Sequence, residues 1–242
     1  MARKRDLFRQ IREIKKRLPQ GKGRSEAVNR RLSALIGAVE QTFGPQELLP
    51  AEAIGELKRN FSIAVVACIE GYFRLLIEDL LKIPRFRRNA IEQFQKGDVT
   101  IKLDPQDILA MEDENITPGA IFSRALRLSK LSDVVSHMTK ILGVPFWDFL
   151  KDSDGRAVKK QYPQLYHKLE QLFQNRHILA HELATEWNLG DPEVMSMVTA
   201  GIWFIILCDA NMLDVERAER SLTASCRTSP ETGSDTVSIS DT

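Results

Sequence analysis

The sequence predicts an all-α fold, an up-and-down helical bundle with additional N-terminal helices and a disordered C-terminal tail. Apolar residues recur every three to four positions through most of the 242 residues, which is the spacing of amphipathic helices. No stretch of useful length shows the alternation of apolar and polar residues that is typical of a β-strand. Pro and Gly residues divide the chain into segments of helical length. Because 43% of the residues are apolar, the chain can bury a sizeable core.

The breaks between apolar segments predict the boundaries of the helices. Thr117 and Pro118 form a typical N-cap and first helical position, and Gly143 and Pro145 interrupt the helix that follows. A short aromatic helix is predicted after Pro145, and a short extended piece at 98–103. A polar loop is predicted at 112–115, after a short helix that begins near Pro105. The longer predicted helices cover residues 4–17, 25–43, 51–81, 85–95, 118–141, 163–187 and 191–220.

Three regions follow from this pattern. Residues 1–48 form a basic N-terminal helical arm, and residues 49–220 form the main helical domain. Residues 221–242 are rich in Ser and Thr and contain few large apolar side chains. Such a segment cannot bury enough surface to offset the entropy of ordering, so we expect a disordered tail.

The charge is distributed unevenly along the chain. Residues 1–31 hold twelve Lys and Arg against three acidic residues, whereas the remainder holds 22 basic and 30 acidic residues. A basic arm on an acidic body favours a polyanionic partner such as nucleic acid; a solvated basic helix without a partner is the alternative. The candidate contacts to the phosphates of RNA are Arg3, Lys4, Arg5, Arg9, Arg12, Lys15, Lys16 and Arg17.

Cysteine usage and hydropathy favour a cytoplasmic protein that does not enter a membrane. The three cysteines, Cys68, Cys208 and Cys226, are odd in number and form no CxxC pair, which is typical of a reducing compartment. The basic N-terminus lacks the apolar segment of a signal peptide. The most apolar stretch, residues 197–208, is shorter than the ~18 residues of a membrane span and is interpreted as a core helix.

The helix after Pro163 carries the chemically informative segment. Arg176 interrupts an apolar stripe on this helix and needs an anionic partner, an interface or a function there. His177 and His181 lie four residues apart and are therefore neighbours on another face. The long side chain of Arg176 can reach the same edge. The stripe consists of Leu165, Leu169, Leu172, Leu179 and Leu183.

Two imidazoles and one guanidinium suit phosphodiester chemistry on RNA. A histidine can move a proton near neutral pH, and an arginine can stabilise a charged phosphorane-like transition state. An ordinary polar helix face is the alternative. A zinc site using His177, His181 and Glu182 is also conceivable, but the spacing is neither HExxH nor HxxEH.

The segment Arg176-His177-Ile178-Leu179-Ala180-His181 resembles the motif of the HEPN superfamily, in which an Arg and a polar residue precede three variable residues and a His. The segment lies on a late helix, before a turn and a final apolar helix. Residues 67–74 (ACIEGYFR) are similar to the first core helix of prokaryotic ribonuclease-like HEPN domains. The resemblance covers about residues 50–215 and implies an HEPN-like bundle within residues 49–220.

The resemblance implies a metal-independent RNA endonuclease that needs no cofactor and acts as a homodimer with a composite active site. His181 would be the general acid or base, Arg176 would stabilise the scissile phosphate, and His177 would assist. The expected products are 2′,3′-cyclic phosphate and 5′-hydroxyl ends. Family members often act as toxins, restrained by an antitoxin or another regulatory protein, or as antiviral effectors. A non-catalytic HEPN-like module that binds RNA or protein, or a structural helical subunit, is the alternative.

Glu70 and Asn175 are candidate supporting residues. Asn175 directly precedes Arg176. Glu70 lies on an apolar helix face, where a carboxylate needs a partner or acquires a raised pKa. Its partner is expected to be Arg74, four residues along the helix, or Arg176.

Overall fold

The structure is a computed structural model that describes residues 11, 23–44, 50–94, 109, 111–113, 115–181 and 190–227. These residues are mainly helical and contain no β-strand. An isolated antiparallel bridge joins Lys151 and Ala157. The predicted all-α class is therefore confirmed.

The structure describes nine helices of four residues or more within the residues given above. Two of them, α2 and α9, are much longer than the rest, with 30 and 37 residues. In chain order the elements are α1 (Arg24–Phe43), α2 (Ala51–Leu80), α3 (Pro84–Phe94), α4 (Pro118–Ala125), α5 (Leu131–Leu142), α6 (Phe146–Phe149), α7 (Val158–Gln161), α8 (Pro163–His181) and α9 (Asp191–Arg227).

Helix α2 lies at the centre of the protein and contacts α1, α4, α8 and α9. Its core face is completely buried, including the side chains of Val65, Ile69 and Phe73. Helix α1 adds Val28 and Leu32 to the same core. The described part of the N-terminal region thus packs against the main domain, while the proposed boundaries at residues 48 and 220 stay predictions.

The region after Thr117 differs from the prediction of one helix over residues 118–141. The Thr117 hydroxyl accepts a hydrogen bond from the Ala120 amide at 3.1 Å, so the predicted N-cap is confirmed. The helix, however, ends at Ala125, and α5 begins only at Leu131. Leu126 and Leu128 between them are 2% and 1% exposed. The chain leaves the helix at Leu126, which adopts an extended conformation, and this break accompanies the burial of both leucines.

Several predicted boundaries lie within a residue or two of the observed ones, and others do not. Helix α9 runs to Arg227 instead of ending at residue 220, and Glu112 and Asp113 are helical rather than part of a loop. The predicted helix at 4–17 (except Ile11), the extended piece at 98–103 and residues 228–242 lie outside the described residues.

Helices α2, α8 and α9 meet at Gly201. A Cβ atom on Gly201 would lie 2.8 Å from Leu172 Cδ2 on α8 and even closer to Val65 Cγ1 on α2. Such distances are below van der Waals contact, and the χ1 angle of a helical valine is stiff. Gly201 therefore allows α9 to approach both neighbouring helices.

We expect the Gly201→Ala substitution to lower the free energy of unfolding by about 1–3 kcal/mol, the usual cost of overpacking, even though alanine favours a helix by about 1 kcal/mol over glycine. The measurement is urea denaturation followed by circular dichroism. Gly37→Ala in α1 is the matched control, since no heavy atom lies within 4 Å of its added Cβ, and it should stabilise the protein slightly. A Gly201→Ala protein as stable as wild type would contradict the close approach.

Two of the described helices are long and apolar enough to span a membrane by composition alone. They are Glu52–Leu80 and Asp191–Glu219, and 56% and 50% of their most apolar windows are buried inside the protein. The core helices of soluble proteins also meet this criterion, so it is weak evidence for a span.

Candidate functional site

Helix α8 passes from the core to the surface along its length. Leu165, Leu169 and Leu172 are buried, as the apolar stripe predicts. After Phe173, which is 5% exposed, no described side chain of α8 is fully buried. The motif therefore begins where α8 emerges from the bundle, which leaves Arg176 partly exposed and His177 exposed.

Arg176 forms an ion pair with Glu70 on α2. The distance between Arg176 Nη2 and Glu70 Oε1 is 3.6 Å, and the two side chains are 25% and 21% exposed. Of the two partners expected for Glu70, the structure places Arg176 at ion-pair distance. Glu70 Oε1 has no hydrogen-bond donor among the described residues, because 3.6 Å exceeds a hydrogen-bond length. The contact is thus electrostatic, and the partly exposed Arg176 guanidinium keeps donors that can hydrogen-bond a ligand.

Asn175 and His177, on either side of Arg176 in the chain, have different surroundings. The Asn175 amide donates a hydrogen bond to the Met197 sulfur at 3.1 Å, a weak acceptor, and so connects α8 to α9. His177 is exposed. His181 is the last helical residue of α8, and its side chain, like all of Glu182, lies outside the described part of the structure. The described geometry therefore includes one of the two predicted principal catalytic side chains, that of Arg176.

Arg74 holds α4 beside this region. Its guanidinium donates a hydrogen bond to the carbonyl oxygen of Ser123 at 2.7 Å. Burial lowers the pKa of Arg74, and the charge of Glu70 partly opposes this effect. Glu78, one turn further along α2, accepts a hydrogen bond from the Thr117 hydroxyl at 2.9 Å. Glu70, Arg74 and Glu78 thus form a line of charges along α2.

The structure places one basic residue of the N-terminal region in an unexpected position. Arg24 has a side chain that is 3% exposed. Its Nη1 atom lies 3.0 Å from Asp79 Oδ2 and 2.7 Å from Glu216 Oε1, and its Nε atom lies 2.9 Å from Asp209 Oδ1. Burial alone would lower the pKa of Arg24, but its hydrogen bonds with Glu216 and Asp209 raise it above the ordinary value. The predicted RNA contacts between Arg3 and Arg17 lie outside the described residues.

His137, His167 and Trp147 fit ordinary roles, and Trp187 lies outside the described residues. His137 packs against the Phe94 ring with a centroid distance of 5.6 Å, and burial lowers its pKa. His167 is exposed. Trp147 stacks on Phe204. Within residues 23–44, 50–94, 115–180 and 190–219, no group of three or more His, Cys, Asp or Glu side chains is placed to hold a metal ion.

Comparison with known proteins gave no relative. No protein-family model, no curated protein and no solved structure matched the chain. The HEPN resemblance therefore rests on the residues quoted above.

Proposed function

We propose that the protein is a metal-independent RNA endonuclease of HEPN type, acting in the cytoplasm as a toxin or an antiviral-defence effector. The observation that carries this proposal is the motif that starts at Arg176 on α8, together with the accessible position of the Arg176 guanidinium beside Glu70. A partly exposed guanidinium in an otherwise apolar stripe is suited to bind a phosphate.

The proposed reaction is a transesterification. The 2′-hydroxyl of RNA attacks the adjacent phosphorus atom, the bond from phosphorus to the 5′-oxygen breaks, and a 2′,3′-cyclic phosphate and a 5′-hydroxyl form. His181 transfers a proton to or from the reacting oxygens, with His177 assisting. Arg176 binds the developing negative charge, and Glu70 holds the guanidinium in position.

We further propose that two copies of the chain form a composite active site. Ile178 and Leu179 follow Arg176 in the chain and are only partly buried. Apolar side chains that remain accessible beside the motif are available for burial against a second copy.

The decisive experiment compares wild type with His181→Ala on total RNA in the presence of EDTA. We expect His181→Ala to cleave about 10²–10⁴-fold more slowly, the usual contribution of a general acid or base. The matched control is His167→Ala, an exposed histidine on the same helix, which should cleave like wild type. The 2′,3′-cyclic phosphate ends are checked by mass spectrometry.

Other outcomes would favour the rival functions. Full cleavage by His181→Ala would overturn the proposal, and a strict metal requirement would favour a zinc site. Binding of RNA without cleavage, weakened by salt and by deletion of residues 1–22, would indicate an RNA-binding module. A stable complex with another protein and no RNA binding would indicate a structural subunit.

A further inference from the structure

A half-open cleft lies between α1 and α2, and neither Arg176 nor Glu70 is among its lining residues. It has a volume of about 340 Å³, which falls within the usual range of about 300–1,000 Å³ for ligand sites. Its walls are mainly apolar and include Val28 and Leu32 from α1, Leu75 from α2 and Ile205 from α9. The space therefore suits an apolar body.

Two arginines supply the charge of this cleft. Arg31 comes from α1 and Arg124 from α4. No carboxylate of the described residues lies within ion-pair distance of either guanidinium, and Arg31 lies beside the Cys68 sulfur. Ion-paired arginines elsewhere in the described structure, such as Arg24 and Arg59, have carboxylates within 3.0 Å. Among the described residues, the cleft thus presents cationic charge that no carboxylate pairs with directly.

The groups around Arg124 compensate its positive charge only in part. Burial and the nearby charge of Arg74 lower the pKa of Arg124, and Glu78 opposes them only in part. Glu78 already accepts a hydrogen bond from Thr117, and Glu70 pairs with Arg176. An anion bound at Arg124 would offset the repulsion from Arg74 and replace the hydration that burial removes.

The lining also indicates what the anion is attached to. The described residues that line the cleft include no Asn, Gln, Ser, Thr, Asp or Glu, so among them are none of the side chains that usually read the edge of a nucleobase or a sugar. Its one hydroxyl belongs to Tyr72, which is 2% exposed. An alkyl chain needs no hydrogen bonds and gains from burial against such walls.

We propose that this cleft binds a fatty-acid carboxylate, with the head group on Arg31 and Arg124 and the chain against Val28, Leu32, Leu75 and Ile205. This proposal does not depend on the proposed ribonuclease activity. Occupancy would also cover Cys68, which is half-buried in the cleft wall.

The test uses the full chain and radiolabelled dodecanoate in equilibrium dialysis, below the critical micelle concentration. We expect dodecanoate to bind saturably. Unlabelled dodecan-1-ol should compete with it at least about tenfold more weakly than unlabelled dodecanoate does, because loss of one hydrogen bond to a charged group costs about that factor. Acetate should not compete. Bound dodecanoate should also slow the alkylation of Cys68 by N-ethylmaleimide, measured on the Cys68 peptide by mass spectrometry.

Three variants assign the binding to the cleft. Arg124→Gln should weaken dodecanoate binding about tenfold, by the same loss of a charged hydrogen bond. Gly71→Leu should abolish binding, because Gly71 lines the cleft and no heavy atom lies within 4 Å of an added Cβ. Arg30→Gln is the matched control: it lies on α1 outside the cleft, is exposed and pairs with Glu26, and it should bind like wild type. Circular dichroism verifies that each variant is folded.

Several results would overturn the proposal. Dodecan-1-ol that binds as tightly as dodecanoate would show that the arginines play no part. If bound dodecanoate left the rate of Cys68 alkylation unchanged, the ligand would lie elsewhere. The same conclusion would follow if Arg124→Gln and Arg30→Gln weakened binding equally. Protection of Cys68 by uridine monophosphate but not by dodecanoate would assign the cleft to nucleotides.

Discussion

Replacing Arg24 with methionine is expected to lower the free energy of unfolding by about 3–5 kcal/mol, the usual cost of removing one partner from a buried ion cluster. The methionine fills a similar volume but leaves Asp79, Asp209 and Glu216 facing one another without their shared cation. The Asp209 and Glu216 side chains are 13% and 14% exposed, so water can screen their repulsion only partly. Denaturation in urea at neutral pH measures the loss.

A matched variant separates this effect from the general loss of a basic residue. Arg30 lies on the same helix, is exposed and approaches Glu26 only to 3.7 Å, so Arg30→Met should change stability by less than about 0.5 kcal/mol. Adding Glu216→Gln to Arg24→Met should recover part of the loss, because one of the repelling charges disappears. An Arg24→Met protein within about 1 kcal/mol of wild type would show that the cluster does not stabilise the fold.

Replacing Arg176 with alanine is expected to slow RNA cleavage by about 10²–10³-fold, as the removal of one group that stabilises an oxyanion does. The same substitution should change the free energy of unfolding by no more than about 1 kcal/mol, because the pair with Glu70 is partly exposed and longer than a hydrogen bond. Cleavage of a fluorescent RNA and urea denaturation provide the two measurements.

The combination of a large kinetic and a small thermodynamic effect is the informative result. Arg176→Lys should recover little activity, because an ammonium cannot donate the paired hydrogen bonds of a guanidinium. Arg30→Ala, the exposed control on α1, should leave cleavage at the wild-type rate. If Arg176→Ala cleaved normally but unfolded easily, Arg176 would be a structural residue and the catalytic proposal would fail.

The sequence predicted the features that depend on neighbours along the chain. The N-cap at Thr117 and the buried stripe before Phe173 follow from local spacing, which the helix repeat determines. The need of Arg176 for an anionic partner also followed, since a cation in an apolar stripe is costly. For Glu70 the sequence left two partners open. Spacing along α2 favours Arg74, whereas the packing of α8 on α2 brings Arg176 within ion-pair distance.

The sequence did not predict the features that depend on contacts between residues far apart in the chain. Arg24 looked like one more charge of the basic arm, because its partners Asp79, Asp209 and Glu216 lie 55, 185 and 192 positions away. The cleft beside Arg31 likewise combines residues from four helices. The break after Ala125 depends on burial of Leu126 and Leu128, which helical spacing between residues 118 and 141 did not reveal.

The length of α9 gives one further consequence. The 37 residues of this helix span about 55 Å at 1.5 Å per residue, and they carry both Gly201 and two of the carboxylates around Arg24. A slide of α9 by one turn, about 5.4 Å, would move Gly201 away from the point where α2 and α8 leave no room for a side chain on α9. The same slide would carry Asp209 and Glu216 away from the guanidinium. The close packing at Gly201 and the ion pairs with Arg24 therefore each fix the axial register of α9.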